Sequence, residues 1–249
     1  MSALAFEGVC KHIGGVEIVR DVSLRLEPGE RRALIGPNGA GKTTLLNIAA
    51  GFVRPTAGRV VLGGREITRM APHRRARHGV ARTFQVTNLL PALTVAQNLA
   101  LAVQSESPQR WNPVLGWRAA HRVWHGVDEL LERSDLQDVR DVPVRELPYG
   151  RQRRLEIIVA IARPARVILL DEPGAGLSSQ ETESLLDLVF GLRDDLAVLF
   201  IDHDVELALR LATRVTVLHL GAVVAEGDPA EVRASGALDD IYLGAAAHA

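Results

Sequence analysis

A single cysteine, Cys10, occurs in 249 residues. An internal disulfide is therefore excluded, and so is a zinc site built on several thiolates. Cys10 reads as a small hydrophobe buried in an early strand, in a reducing, cytoplasmic setting. Net charge is also nearly absent: 29 basic and 30 acidic side chains leave a formal -1, so no bulk field favours nucleic acid or an anionic membrane. No apolar run approaches the ~20 residues of a membrane span. The amino terminus lacks the basic stretch and long apolar core of a secretory signal. What the chain does have is 47% hydrophobic residues, enough for a substantial core in one large domain or two small ones.

Short β-branched or leucine-rich runs at 32–35, 59–62, 167–170, 198–201 and 215–218 alternate with stretches of helical spacing. That is an α/β pattern. Residues 4–9 and 22–26 read instead as strands of an antiparallel element, with a turn around Gly14 and Gly15. A helix is predicted from Lys42 to Ala50, stopping at Gly51, because glycine accepts the left-handed conformation that ends helices. From about 84 to 162 the character changes. Segments 94–104 and 118–133 have helical spacing around a Pro-, Ser-, Trp- and Gly-rich stretch at 105–116, which reads as a helical insertion in the α/β core.

The chemistry is concentrated at residues 36–43, GPNGAGKT. A phosphate needs convergent N–H donors and a fixed positive charge. Gly36, Gly39 and Gly41 let the backbone curl around phosphate oxygens, and the helix that follows points its positive end at them. Pro37, Asn38 and Ala40 complete the loop, and Thr44 follows in the helix. Lys42 is expected to reach the β- and γ-phosphates and the Thr43 hydroxyl to hold Mg²⁺. A magnesium nucleotide also needs a carboxylate on the metal, and the apolar run 167–170 leads directly into Asp171 and Glu172. Asp171 suits the metal, and Glu172 the polarisation of an attacking water. The bland alternative for this acidic pair is an ordinary helix amino terminus.

With these residues in place, the chain resembles the ATP-binding cassette (ABC) ATPases over nearly its whole length. Thr83-Phe84-Gln85 is similar to the family's Q-loop, and Leu147-Pro148-Tyr149-Gly150-Arg151-Gln152 to its signature motif. Gly176-Leu177-Ser178 is similar to its D-loop, and His203 to its switch histidine. The resemblance implies a P-loop NTPase (RecA-like) core, about 1–85 and 163–249, with an antiparallel β subdomain and an inserted α-helical subdomain at about 86–162. It implies ATP and Mg²⁺ as cofactors. Gln85 would sense the γ-phosphate through metal and water, and His203 would order the attacking water. The active unit would be a head-to-tail dimer, homo- or heteromeric, with Tyr149, Gly150, Arg151 and the helix beginning near Arg151 facing the partner's nucleotide.

Within the family, LNIAAGFVRPTAG at 46–58, GVARTFQVTNLLPALT at 79–94, LPYGRQRRLE at 147–156, DEPGAGL at 171–177 and IYLG at 241–244 look most like the cassettes of branched-chain (hydrophobic) amino acid importers. Such cassettes sit peripherally on the cytoplasmic face of the membrane. They drive transmembrane permease subunits and act only indirectly with a substrate-binding protein. Similar cassettes serve importers of urea, amides and organic acids, and a related branch drives lipopolysaccharide export. A soluble ABC protein acting on ribosomes or DNA would call for tandem cassettes or a long coiled coil, so nucleic acid is not expected as a partner.

Two departures qualify the expected site. Pro148 stands where the signature usually has serine, and it offers neither a hydroxyl nor an N–H; a charged hydrogen bond contributes about 1.5–3 kcal/mol, so the expectation is a slower site rather than a dead one. Ile13 stands where an aromatic ring usually stacks on adenine. Stacking contributes about 1–3 kcal/mol, so looser nucleotide affinity and similar affinities for ATP and GTP are expected, unless His12 stacks instead. The basic run of His73, Arg74, Arg75, Arg77, His78 and Arg82 reads as a solvated face or as a contact to lipid headgroups or the membrane subunit. Residues 86–91 read as core packing or as part of a groove for that subunit.

Overall fold

The structure, a computed structural model, describes residues 2–83, 89–104, 116–162, 164–238 and 241. Strands β1 (Leu4–Ile13) and β2 (Val16–Leu26) form a hairpin whose turn is Gly14 and Gly15, at φ 58° and 82°. Both strands run further than the sequence pattern suggests. The pairing slips between Phe6 and Val9, Val9 and Lys11, and Lys11 and His12, so the register is interrupted from Phe6 onward although the ladder continues. The last slip pairs Lys11 with Val19 and His12 with Glu17, leaving Ile18 as the extra residue of a bulge.

Next come β3 (Arg31–Ile35), α1 (Lys42–Ala50), β4 (Ala57–Leu62), β5 (Arg65–Glu66), α2 (Pro72–Arg77) and β6 (Val80–Arg82). Helices α3 (Val95–Gln104), α4 (Gly116–Ser134) and α5 (Tyr149–Ile161) follow. The chain then alternates through β7 (Val167–Asp171), α6 (Ser179–Leu192), β8 (Ala197–Ile201), α7 (Val205–Leu211), β9 (Arg214–His219), β10 (Ala222–Gly227) and α8 (Pro229–Ala234). Helix α1 has the predicted bounds: Gly51, at φ 86°, donates its N–H to the Asn47 and Ile48 carbonyls.

Two sheets result. One has the order β2-β1-β4-β5, with antiparallel pairing throughout. The other has the order β10-β9-β3-β8-β7-β6 and is parallel apart from the β9–β10 hairpin. Every residue of β7 and β8 is buried, as a strand covered on both faces requires. Leu34, Leu169, Leu199 and Ile201 pack on one face with α1 and the antiparallel sheet. Ile35, Ile168, Leu170 and Phe200 pack on the other with residues of α5, α6, α7 and α8. A third apolar cluster joins α3, α4 and α5.

Several local expectations change. Helix α5 begins at Tyr149 rather than near Arg151, because Pro148 takes the N-cap position at φ -54° and its carbonyl accepts from the N–H groups of Arg151 and Gln152. The Asp171-Glu172 pair does not open a helix. Asp171 closes β7, Glu172 turns at φ 50°, and the next helix waits for Ser178, whose side chain and that of Glu181 form a capping box. Cys10 is half-buried, its sulfur accepting from the Asp21 N–H. The basic run is not one solvated face: Arg75 is buried and donates to the Ile48 and Ala49 carbonyls at the end of α1 and to the Thr68 and Met70 carbonyls. Burial lowers its pKa to about 10. Leu89 is buried and Leu90 exposed.

Candidate nucleotide site

The central strand β3 delivers the glycine-rich loop to the carboxyl edge of the parallel sheet, where open α/β sheets bind their ligands. Two glycines are required there by backbone packing. A β-carbon at Gly36 would lie 2.0 Å from the Leu218 carbonyl oxygen, and one at Gly41 would lie 2.6 Å from the Ile18 carbonyl oxygen. The same Ile18 oxygen crowds Gly221, so the bulged hairpin docks on the loop and on the β9–β10 turn together. Gly41, at φ 98°, is also the N-cap of α1, which directs the helix's free N–H groups into the loop.

Lys42 is buried at the start of α1, with Nζ donating to the Gly36 and Pro37 carbonyl oxygens at 2.6 and 3.0 Å. Those bonds use two of its three N–H donors. Burial lowers the Lys42 pKa, while the carboxylates of Glu172 and Asp171 oppose the shift. Ile18, Asn38, Gly39, Ala40, Gly41, Lys42, Thr43 and Thr44 share one cleft with Glu172, Ile201 and His203. The neighbouring strands account for that gathering. β7 ends at Asp171, and β8 ends at Ile201, two residues before His203.

Asp171 is 2% exposed. Its Oδ2 accepts from Arg82 Nη2 at 3.3 Å, and its Oδ1 is buried without a hydrogen-bond partner among the described residues. Burial raises the Asp171 pKa, Arg82 opposes the rise and Glu172 adds to it. Arg82 also donates to Asn47 Oδ1 at 2.6 Å and lies over the Phe52 ring. It therefore joins β6, α1 and the acidic end of β7. The Glu172 carboxylate meets His203, with Oε1 and Nε2 2.6 Å apart. Burial also raises the pKa of Asp202, beside that histidine.

Other expected site residues lie elsewhere. Ile13 is at the hairpin tip, 53% exposed, and does not line the cleft; Ile18 does. The bulge re-aims Ile18, and no periodicity announces it. Tyr149, Gly150 and Arg151 also lie outside the cleft: the Tyr149 hydroxyl donates to the Ala175 carbonyl, a β-carbon at Gly150 would meet Glu181 and Leu177, and Arg151 pairs with Asp138. Gln85, with Phe84, falls outside the described residues. Reading Arg82 as one of a basic run missed its bond to Asp171. Its place directly before the Thr83-Phe84-Gln85 motif was the available signal.

Residues 19–175 match the ABC transporter family. The chain is 35% identical to the high-affinity branched-chain amino acid transport ATP-binding protein BraF of Pseudomonas aeruginosa, over 98% of each chain. Identity to the corresponding protein LivG of Escherichia coli is also 35%, over 98% of each. Among solved structures, an ATP-binding cassette of an ABC transporter in its ADP conformation superposes with a TM-score of 0.83 at 28% identity, covering 98% of this chain and 99% of that one. The P-loop at the edge of a parallel sheet and these end-to-end similarities agree: the chain belongs to the ABC transporter family, as an ATP-binding, ATP-hydrolysing cassette homologous to those of branched-chain amino acid importers.

Proposed function

We propose that this cassette is the energy-coupling subunit of an importer for branched-chain or other hydrophobic amino acids. The observation that carries the reading is the end-to-end similarity to two transport ATPases of that class, over 98% of each chain. Described helices include none long and apolar enough to cross a membrane, so the solute path would belong to separate permease subunits, with the cassette docked on the cytoplasmic face. A substrate-binding protein would act on the other side. The helices within 86–162 would form the subdomain that meets the permease.

Within the cleft, Lys42 and the loop N–H groups hold the β- and γ-phosphates, Glu172 polarises the attacking water and His203 orders it; by the family resemblance Gln85 would sense the γ-phosphate through metal and water. A magnesium ion fits this corner, because the unpartnered Asp171 Oδ1 and the Thr43 hydroxyl are hard oxygen donors of the kind it takes. When bound, the ion neutralises charge on the transferred phosphoryl group. Tyr149, Gly150 and Arg151 would meet the nucleotide of a second cassette. Their position outside this chain's own cleft supports a site completed in trans.

Glu172→Gln should retain nucleotide and lower kcat by about 10²–10⁴-fold; hydrolysis at the native rate removes the role given to Glu172. The transport reading is tested by deleting the chain and measuring uptake of labelled leucine, isoleucine and valine, and by affinity purification from solubilised membranes. Lost uptake and co-purifying permease subunits are expected. Unchanged amino acid uptake with lost urea or amide uptake would move the cassette to another solute, and sedimentation with ribosomes or binding to duplex DNA would remove the importer.

A further inference from the structure

Helix α5 carries the signature residues at its amino terminus, and its second turn reaches back into this chain's own catalytic segment. Arg153 is 3% exposed. Its Nη1 pairs with Glu156 Oε2 at 2.6 Å, while Nε and Nη2 reach main chain. Nε donates to the Pro173 carbonyl, and Nη2 donates to the carbonyls of Asp171 and Glu172, each at 3.3 Å. One planar guanidinium thus spans three consecutive carbonyls of the segment that carries both site carboxylates.

That segment is strained. Glu172 stands at φ 50°, where a residue with a β-carbon stays only if its surroundings over-determine it. Its N–H is held by the Ile201 carbonyl at 2.9 Å, and its carbonyl by Arg153. Between those two anchors the Cα–Cβ bond has a set direction, and the carboxylate reaches His203 in the cleft. The Tyr149 hydroxyl adds a bond from the same helix to the Ala175 carbonyl, two residues past Pro173.

We infer that Arg153 is a positioning residue for hydrolysis: it holds Glu172 in its left-handed backbone conformation and ties that geometry to the helix bearing Pro148, Tyr149, Gly150 and Arg151. A shift of α5 when its amino terminus engages a second nucleotide is then felt at Glu172 of the same chain. The inference rests on Glu172 being the water-polarising carboxylate. Burial of Arg153 merely to satisfy carbonyls would affect folding but not the catalytic step selectively.

The test uses the full chain and two variants. R153M/E156M removes the buried pair together and leaves no lone buried charge. R153K keeps the ion pair but replaces the fork with an ammonium, which cannot span three carbonyls. For both, nucleotide affinity without magnesium, melting temperature and steady-state hydrolysis are measured. In R153M/E156M, affinity within about twofold of the parent and kcat at least about tenfold lower are expected. R153K should keep the parent's melting temperature and affinity while recovering only part of kcat. On a Glu172→Gln background the Arg153 substitutions should add no further loss, as for groups acting as a unit.

Native kcat in either folded Arg153 variant overturns the inference, as does full rescue by lysine or a loss that simply adds to that of Glu172→Gln. If the double variant does not fold, R153K alone decides by the same criteria. If Glu172→Gln itself hydrolyses at the native rate, the reading of Glu172 fails first and takes the inference with it; stalled Glu172→Gln beside normal Arg153 variants sinks the inference alone.

Discussion

The P-loop end and the signature end of this cassette are held by different means. At the P-loop, contiguous residues follow a buried strand, and the backbone is fitted against other backbone: Gly36 against Leu218, Gly41 against Ile18. At the signature end, Pro148 starts a helix and the motif is fastened by side chains, Tyr149 to Ala175 and Arg151 to Asp138. A grip set by main-chain packing is specified locally and is stiff, because backbone atoms cannot re-rotamer. A motif hung on side-chain bonds follows the helix that carries it. That suits a surface which, on the proposed reading, must find a second copy's nucleotide.

The strongest way to break the contrast is Lys42→Ala. It removes a cation that the loop holds on its own carbonyls, and charged hydrogen bonds contribute about 1.5–3 kcal/mol each. Nucleotide affinity should fall at least ~100-fold by equilibrium titration. Affinity near that of the parent would mean the loop N–H groups suffice without the lysine. Pro148→Ser acts at the other end and should leave single-chain affinity alone. It restores a hydroxyl and an N–H at the N-cap, so steady-state hydrolysis should rise by up to roughly tenfold if that end meets a partner's γ-phosphate. An unchanged rate at saturating protein would argue that Pro148 does not face the reacting phosphate.

Ile18→Ala against Ile13→Ala separates the two candidates for the base-side contact. Trimming Ile18, which lines the cleft, should weaken ATP and GTP binding alike by a fewfold to tenfold, and trimming exposed Ile13 should change neither. The reverse ranking would restore Ile13. The smallest effect is on stability. Burial raises the Asp171 pKa from 3.8, so the stability this group contributes is present below the ordinary carboxylate pKa and is lost as pH rises through the raised folded value. At neutral pH the ionised side chain therefore costs stability, and Asp171→Asn should raise the nucleotide-free melting temperature by a few degrees, more at pH 7 than at pH 4. A lower melting temperature would show that the Arg82 bond outweighs burial.

Much of the fold was legible. Fully buried β7, up to Asp171, and β8 are continuous apolar runs, and α1 is bracketed by glycines, so length and punctuation place them. The hairpin was half legible, because its bulges break the alternation that marks a strand. The acidic pair showed itself as chemistry, but nothing along the chain shows that Glu172 turns left-handed instead of opening a helix. Nor could a basic run be sorted by eye into Arg75, which ties down the end of α1, and Arg82, which grips Asp171.

Residues adjacent in the chain carried the phosphate grip, the helix that backs it and the α/β class, because glycine conformations, caps and apolar periodicity act over a few residues. Tertiary structure decided which residues share the cleft, that Ile18 enters it rather than Ile13, and that Arg153 ties the signature helix to Glu172. Those relations join segments from about twenty to more than a hundred and fifty residues apart, and they depend on strand order, a bulge and burial. Local propensity does not encode such distances. Packing sets them, once the strands that lead to Lys42 and His203 and the strand that ends at Asp171 are side by side.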